Sequence, residues 1–304
     1  MSFRPDHISS FKVSEGSVSA DALSQKSESE ILSLFKDILD NGVHGFCYSV
    51  YEEGQKPGDI ISEAQVHRRM SILKNHCGWV RSFSCIEGNE WVPKVARQYG
   101  LKTLVGAWLG TDEEKNREEI ESLIQLAKDG YIDIAAVGNE VLYRNDLDKA
   151  QLIAYINEVK QAIPDIPVGY VDAYYEFSVH QDIVEISDVI LCNCYPFWEG
   201  TPFEYAIQHM QQMYQQAVNA AQGKPVIITE TGWPSQGGNI KSSQPGEEQA
   251  LRYFILTQLW VLAQEIPCFY FSSFDESWKV DAEGSVGAYW GIWDSKGRLK
   301  YPVV

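Results

Sequence analysis

Two glutamates in this 304-residue chain stand apart from its other acidic residues. Glu140 ends the stretch Val137-Gly-Asn-Glu140, and Glu230 ends Ile228-Thr-Glu230 and runs on into Thr-Gly-Trp-Pro234. Each follows an apolar, strand-like run and has glycine close by. Most acidic residues here instead read as solvated helix faces, as Glu118, Glu119 and Glu121 do. Two converging carboxyls, without a metal, are what glycosidic bond cleavage needs. One is protonated and donates to the leaving oxygen; the other is ionised and attacks the anomeric carbon. A shared, partly dry site separates their pKa values because neighbouring negative charges repel. A gap of about 5–5.5 Å would mean direct attack with retention of configuration. Either glutamate alone has a structural reading, such as pairing with Arg81, so the weight lies on the pair.

The elements that must position this pair recur along the chain. Apolar, β-branched or aromatic runs fall at 42–50, 79–85, 102–108, 132–138, 168–174, 188–195, 225–230 and 268–274. Near-continuous apolar runs fit strands buried on both faces, as in a parallel sheet. Helical patterns lie between them, at 152–159, 205–221 and 247–262 among others, with one more at 25–40 before the first strand. Ser62-Glu-Ala-Gln65 and Thr111-Asp-Glu-Glu114 read as capping boxes, and Lys128-Asp-Gly130 as a helix end. Eight such units without a dividing linker predict an α/β fold: a single (β/α)8 barrel over residues 25–304, with a polar, loose N-terminal extension over 1–24. Chemistry then belongs at the C-terminal strand ends. The glutamates end strands four and seven, which this reading sets facing one another across the ring.

The other strand ends suit a sugar, whose rings have apolar faces and polar edges. Tyr48, Trp108, Tyr174, Tyr175, Tyr195, Phe197, Trp198, Trp233 and Trp278 fall at or just past strand ends. About half are expected to touch ligand and the rest to pack the barrel or anchor loops. Arg81, a charge inside an apolar run, needs a partner, and a carboxylate at the mouth is the natural one. Glu276 and Lys279, after strand eight, suit sugar hydroxyls or a surface ion pair.

Composition narrows the partners. A formal charge of −17 would repel phosphate backbones, which disfavours nucleic acid and anionic membranes and leaves a neutral polymer open. No run is long enough to span a membrane. The first residues lack an apolar signal core, which predicts a cytoplasmic protein or a secreted or periplasmic one whose leader has been removed. The cysteines read as buried free thiols. Histidines and cysteines show no metal-ligand spacing, so no metal is expected, and no dinucleotide or phosphate-loop signature calls for a cofactor.

Taken together, Val137-Gly-Asn-Glu140 and Ile228-Thr-Glu-Thr-Gly-Trp-Pro-Ser235 resemble glycoside hydrolase family 17, the β-1,3-glucanase family of plants, fungi and bacteria. Gly45-Phe-Cys-Tyr-Ser-Val-Tyr-Glu-Glu-Gly-Gln-Lys-Pro-Gly58, Val168-Gly-Tyr-Val-Asp-Ala-Tyr174, Asn193-Cys-Tyr-Pro-Phe-Trp198 and Phe274-Asp-Glu-Ser-Trp-Lys279 support it. The closing Tyr289-Trp-Gly-Ile-Trp-Asp294 is similar to microbial members, taken here as a bacterial branch. The resemblance runs from about residue 30 to the C-terminus. It implies Glu140 as acid/base, Glu230 as nucleophile and Asn139 on the sugar 2-hydroxyl. Tyr195 and Arg81 would orient the nucleophile, and Tyr174, Glu276 and Lys279 would line the cleft; Tyr48, Phe197, Trp198 and Trp233 are taken as sugar contacts from their places at strand ends. Plant members carry Asn where this chain has Asp275, and fungal relatives often carry Trp where it has Tyr174.

The implied activity is retaining, endo-type hydrolysis of a neutral β-1,3-glucan such as laminarin. The same glutamates would also serve a glucanosyltransferase, which passes the sugar to another glucan. A non-catalytic glucan-binding barrel is a third reading, disfavoured by the presence of both carboxyls. An aldolase-type barrel would want a lysine within an apolar strand run, and none is found there.

Overall fold

A computed structural model describes residues 20–301. Eight parallel strands close into a barrel in sequence order. They are β1 (Val43–Cys47), β2 (Cys77–Ser82), β3 (Lys102–Ala107), β4 (Ile134–Asn139), β5 (Val168–Ala173), β6 (Ile190–Asn193), β7 (Val226–Thr231) and β8 (Cys268–Tyr270). All eight fall within or overlap the predicted runs. The fold is the expected (β/α)8 barrel.

The outer layer is α1 (Glu28–Asn41), α2 (Glu63–Leu73), α3 (Trp91–Gln98), α4 (Glu113–Lys128), α5 (Val141–Arg144), α6 (Lys149–Ala162), α7 (Glu176–Val179), α8 (Gln181–Ile186), α9 (Pro196–Glu199), α10 (Phe203–Ala220), α11 (Glu247–Ala263) and α12 (Val280–Glu283). Among the described residues no helix is long and apolar enough to cross a membrane. All six cysteines are buried free thiols.

Local capping departs from the sequence reading. At Ser62 the hydroxyl accepts from Gln65 N, as a cap should, but the Gln65 side chain turns inward to donate to the Val50 carbonyl. The α4 cap is Asp112 rather than Thr111, because its carboxylate reaches both Glu114 N and Lys115 N. Reciprocal capping boxes form instead at Ser27/Glu30 and Asp148/Gln151.

Most of the predicted N-terminal extension, residues 1–19, lies outside the described residues. Ala20–Leu23 forms a 3-10 turn whose Leu23 is buried, and Arg252 of α11 donates to its carbonyl at 3.3 Å.

The ring order also corrects the placement of the two glutamate strands. β4 and β7 are three positions apart, not diametrically opposed, with β5 and β6 between them. The gap is bridged from β6. Both glutamate strands carry an irregularity just before the carboxyl. From Ala136 to Asn139, β4 advances three residues while β5 advances two, from Gly169 to Val171. From Ile228 to Glu230, β7 advances two residues while β6 advances one, from Cys192 to Asn193. Such bulges re-aim the following side chain, which would otherwise alternate between barrel interior and helix layer.

Candidate active site

At the end of β4 the chain turns sharply. Gly138 has φ +82°, and a Cβ there would stand 2.8 Å from Val141 Cγ2, so glycine is required. Glu140 is left-handed, at φ 52° and ψ 30°, and is the N-cap residue of α5. That conformation costs a non-glycine residue on the order of 1–2 kcal/mol. Surrounding bonds hold it. Glu140 N donates to the Val171 carbonyl at 2.8 Å, and Arg144 N donates to the Glu140 carbonyl at 2.8 Å. The Arg144 guanidinium donates to the carbonyls of Asn139 and Leu109. Strain maintained in this way is typical of functional positions.

Glu230 stays within its strand and is buried among donors. Arg81 Nη1 donates to Oε1 at 2.7 Å, and the Tyr195 hydroxyl donates to Oε2 at 2.7 Å. Burial opposes the Arg81 charge, but Glu230 beside it outweighs that and keeps the guanidinium protonated. Burial and the same carboxylate also hold the proton on Tyr195. These two donors satisfy and orient the buried Glu230 carboxylate.

Asn193, at the end of β6, joins the two acids. Its Nδ2 donates to Glu140 Oε1 at 3.0 Å and to Glu230 Oε1 at 3.1 Å. The amide cannot flip without loss, because Thr229 Oγ1 donates to its Oδ1 at 2.8 Å. With one nitrogen between them, the two carboxylate oxygens lie no farther apart than both bonds laid end to end, about 6 Å. Two carboxyls whose facing oxygens are this close can address one anomeric centre. Burial and the facing Glu230 charge push the Glu140 carboxyl up to about 7, against weaker pulls from Asn193, Arg144 and Arg81. Burial and the facing charge thus favour the protonated form of Glu140.

The remaining predicted residues divide by what they touch. Arg81 bonds Asn139 Oδ1 at 2.7 Å through Nη2. This turns the Asn139 amide nitrogen away from the arginine. Arg81 Nη1 and the Tyr195 hydroxyl, expected beside the nucleophile, are both directed at Glu230. Glu276 and Lys279 form an ion pair at 2.6 Å, but it is buried and not at the surface. Glu276 also accepts from Tyr51 N, and Lys279 Nζ lies 4.3 Å from the Phe271 ring centre. Trp198 is half-buried against Trp290. The Tyr174 hydroxyl donates to Glu199 at 2.9 Å and its ring abuts Tyr175.

Three predicted platforms are packing residues. Phe197 is 0% exposed between Trp198, Trp233 and Trp290. Trp233 is buried with Nε1 on the Gln244 carbonyl, and the Tyr48 hydroxyl anchors to the Val66 carbonyl of α2. Aromatic type at a strand end was the sequence signal, and it does not report which way a ring points. Trp108, by contrast, is 42% exposed on the rim, with Arg144 stacked 4.4 Å from its centre.

Sequence reasoning missed three contributors. Asn193 had a signal, an amide ending an apolar strand run, which demands partners when buried. Arg144 follows Glu140 by one helical turn. Glu283, at the end of α12, is close enough to feel the charges of both acids; burial pushes it up to about 7, with Lys279 opposing.

Residues 45–291 match the model of the BtgE/BtgC glycoside hydrolase domain. A glucan 1,3-beta-glucosidase of Saccharomyces cerevisiae is 27% identical over 80% of this chain and 86% of its own length. A probable glucan endo-1,3-beta-glucosidase of Aspergillus fumigatus is 28% identical over 66% of this chain and 33% of its own length. Among solved structures, a glycoside hydrolase family 17 beta-1,3-glucanosyltransferase from Rhizomucor miehei superposes with a TM-score of 0.76. It is 30% identical, covering 86% of this chain and 96% of that one. An active-site mutant of the Rhizomucor miehei enzyme, solved in complex with laminaritriose, superposes equally well.

Proposed function

Because the chain belongs to the BtgE/BtgC glycoside hydrolase domain family, we propose that it is a retaining, endo-acting β-1,3-glucanase of the family 17 type. One observation carries the mechanism: the Glu140 and Glu230 carboxyls share the Asn193 amide and have opposite electrostatic surroundings. In the first step Glu230, held by Arg81 and Tyr195, attacks the anomeric carbon, and Glu140 gives its proton to the departing glucan oxygen. In the second, Glu140 takes a proton from water and that water releases the sugar from Glu230. Asn139 would donate to the 2-hydroxyl, a contact that tightens as positive charge develops on the ring. The neutral polymer suits a protein of charge −17, since no phosphate or carboxylate has to approach it. Residues 25–304 would act as one catalytic domain behind the N-terminal extension. The named relatives are fungal, which supports the microbial reading of the closing motif without favouring a bacterial branch.

The test is laminarin digestion followed by NMR. The newly formed reducing end should be β first and then mutarotate, and Glu230→Gln should abolish turnover. An initial α product would end the two-carboxyl retaining scheme.

The similarity to a β-1,3-glucanosyltransferase favours one second reading, transfer of the glucan to an acceptor in place of water. A purified laminari-oligosaccharide separates the two. Longer products appearing before shorter ones accumulate mean transfer; only shorter products mean hydrolysis.

A further inference from the structure

Asp172, on β5, is a buried carboxyl to which the mechanism above gives no part. It is 0% exposed; its Oδ1 accepts from Ala173 N at 2.7 Å, and its Oδ2 meets the Tyr170 hydroxyl. Burial and the nearby Glu140 hold it far above the usual carboxylate range. An isolated buried acid is costly, so its retention calls for a reason. Its partner supplies one. The Tyr170 hydroxyl also accepts from Leu142 N at 2.9 Å.

Leu142 is the second residue of α5, and its N–H is one of the donors that a helix start leaves unpaired. The usual acceptor is the side chain of the N-cap residue. Here the N-cap residue is Glu140, and its side chain makes no capping bond. Its Oε1 takes the Asn193 amide instead. A tyrosine from the neighbouring strand does the capping, which leaves the glutamate's carboxyl free to reach Glu230. The Tyr170 ring is fixed in turn, edge-to-face with Phe177 and close under Gly138.

We propose that Tyr170, braced by Asp172, is a positioning residue for Glu140: it caps α5 in trans, so that the acid/base is not drawn back onto its own helix. This rests on Glu140 being the proton donor. Without the Tyr170 hydroxyl, Leu142 N–H is left to the usual acceptor, the side chain of the N-cap residue Glu140, and capping would draw the proton donor off the leaving-group oxygen.

The experiment compares Tyr170→Phe, Asp172→Asn and Glu140→Ala on two substrates. One is laminarin, whose leaving sugar needs a proton. The other is a dinitrophenyl β-glucoside of laminaribiose, whose first-turnover release of dinitrophenolate does not. Tyr170→Phe should lower kcat on laminarin about 10- to 100-fold, the scale of an ångström-sized misplacement, and leave the first-turnover burst nearly unchanged. Asp172→Asn should give a smaller loss with the same selectivity, and it decides the matter if Tyr170→Phe does not fold. A merely structural defect would lower both substrates in proportion. Proportional losses, or no loss, while Glu140→Ala remains selective would overturn the positioning role alone. If Glu140→Ala itself shows no selectivity, the proton-donor reading falls and takes this inference with it.

Discussion

At the end of β4, Glu140 follows one extra strand residue, leaves in a left-handed turn and receives a single amide N–H, from Asn193. At the end of β7, Glu230 also follows an extra residue, but it stays extended and receives donors from Arg81, Asn193 and Tyr195. Both side chains are buried, so desolvation penalises both charges. What separates them is the supply of compensating donors. Glu230 is buried with a guanidinium and a phenol on its oxygens, whereas burial with one amide and a facing anion favours the protonated form of Glu140. Identical residue types thus acquire different surroundings from the strands around them, and the proposed division of roles rests on that difference.

The contrast can be broken most severely at β7. Glu230→Ala should cut laminarin turnover by several orders of magnitude, since it removes the nucleophile. It also strands Arg81 in the interior, and breaking a buried pair costs about 3–5 kcal/mol. Denaturant unfolding should therefore remain cooperative at a lower midpoint, and an unchanged midpoint would mean that the Arg81 pair is not buried as described.

Glu140→Ala comes next, with a loss on laminarin of about 10²- to 10⁴-fold, the range for removing a general acid. Activated aryl glucosides should suffer much less in their first turnover. Equal losses on both substrates would remove Glu140 from the donor role.

Asn193→Ala sharpens the comparison without deleting either acid. About a tenfold loss in kcat is expected from the lost donor. The Asn193 bond lowers the Glu140 pKa, so its removal should move the basic limb of kcat/KM, near pH 7 in the native enzyme, to higher pH. A shift to lower pH would contradict the described geometry.

The smallest effect is a titration. In Glu230→Gln the neighbouring negative charge is gone, so Glu140 should lose its proton at lower pH than in the native protein. Carboxyl ¹³C NMR reads this directly, and an unmoved titration would mean that burial alone raises Glu140.

Much of this was legible in the residues. Each of the eight strands lies in or overlaps an apolar run, because a strand covered on both faces must be apolar nearly throughout. Glu140, Glu230 and Arg81 were legible because a charge adjoining such a run has to be compensated. Arg81 was expected to pair with a carboxylate at the mouth, and it lies 2.7 Å from Glu230. Phe197, Trp233 and Tyr48 misled, since rings at strand ends serve packing as readily as binding. Asp172 and Tyr170 gave no signal, because two polar residues in an apolar strand do not reveal which backbone N–H they serve.

The sequence by itself determined the periodicity, hence the barrel, and the chemical type of the groups at its mouth. Hydrophobic patterning acts over a few residues and survives without tertiary context. Only the tertiary structure decided the pairing of Glu140 with Glu230 through Asn193, and the push on Glu140 toward its protonated form. Those depend on distances between residues 37 to 90 positions apart and on burial, and neither exists until the barrel closes.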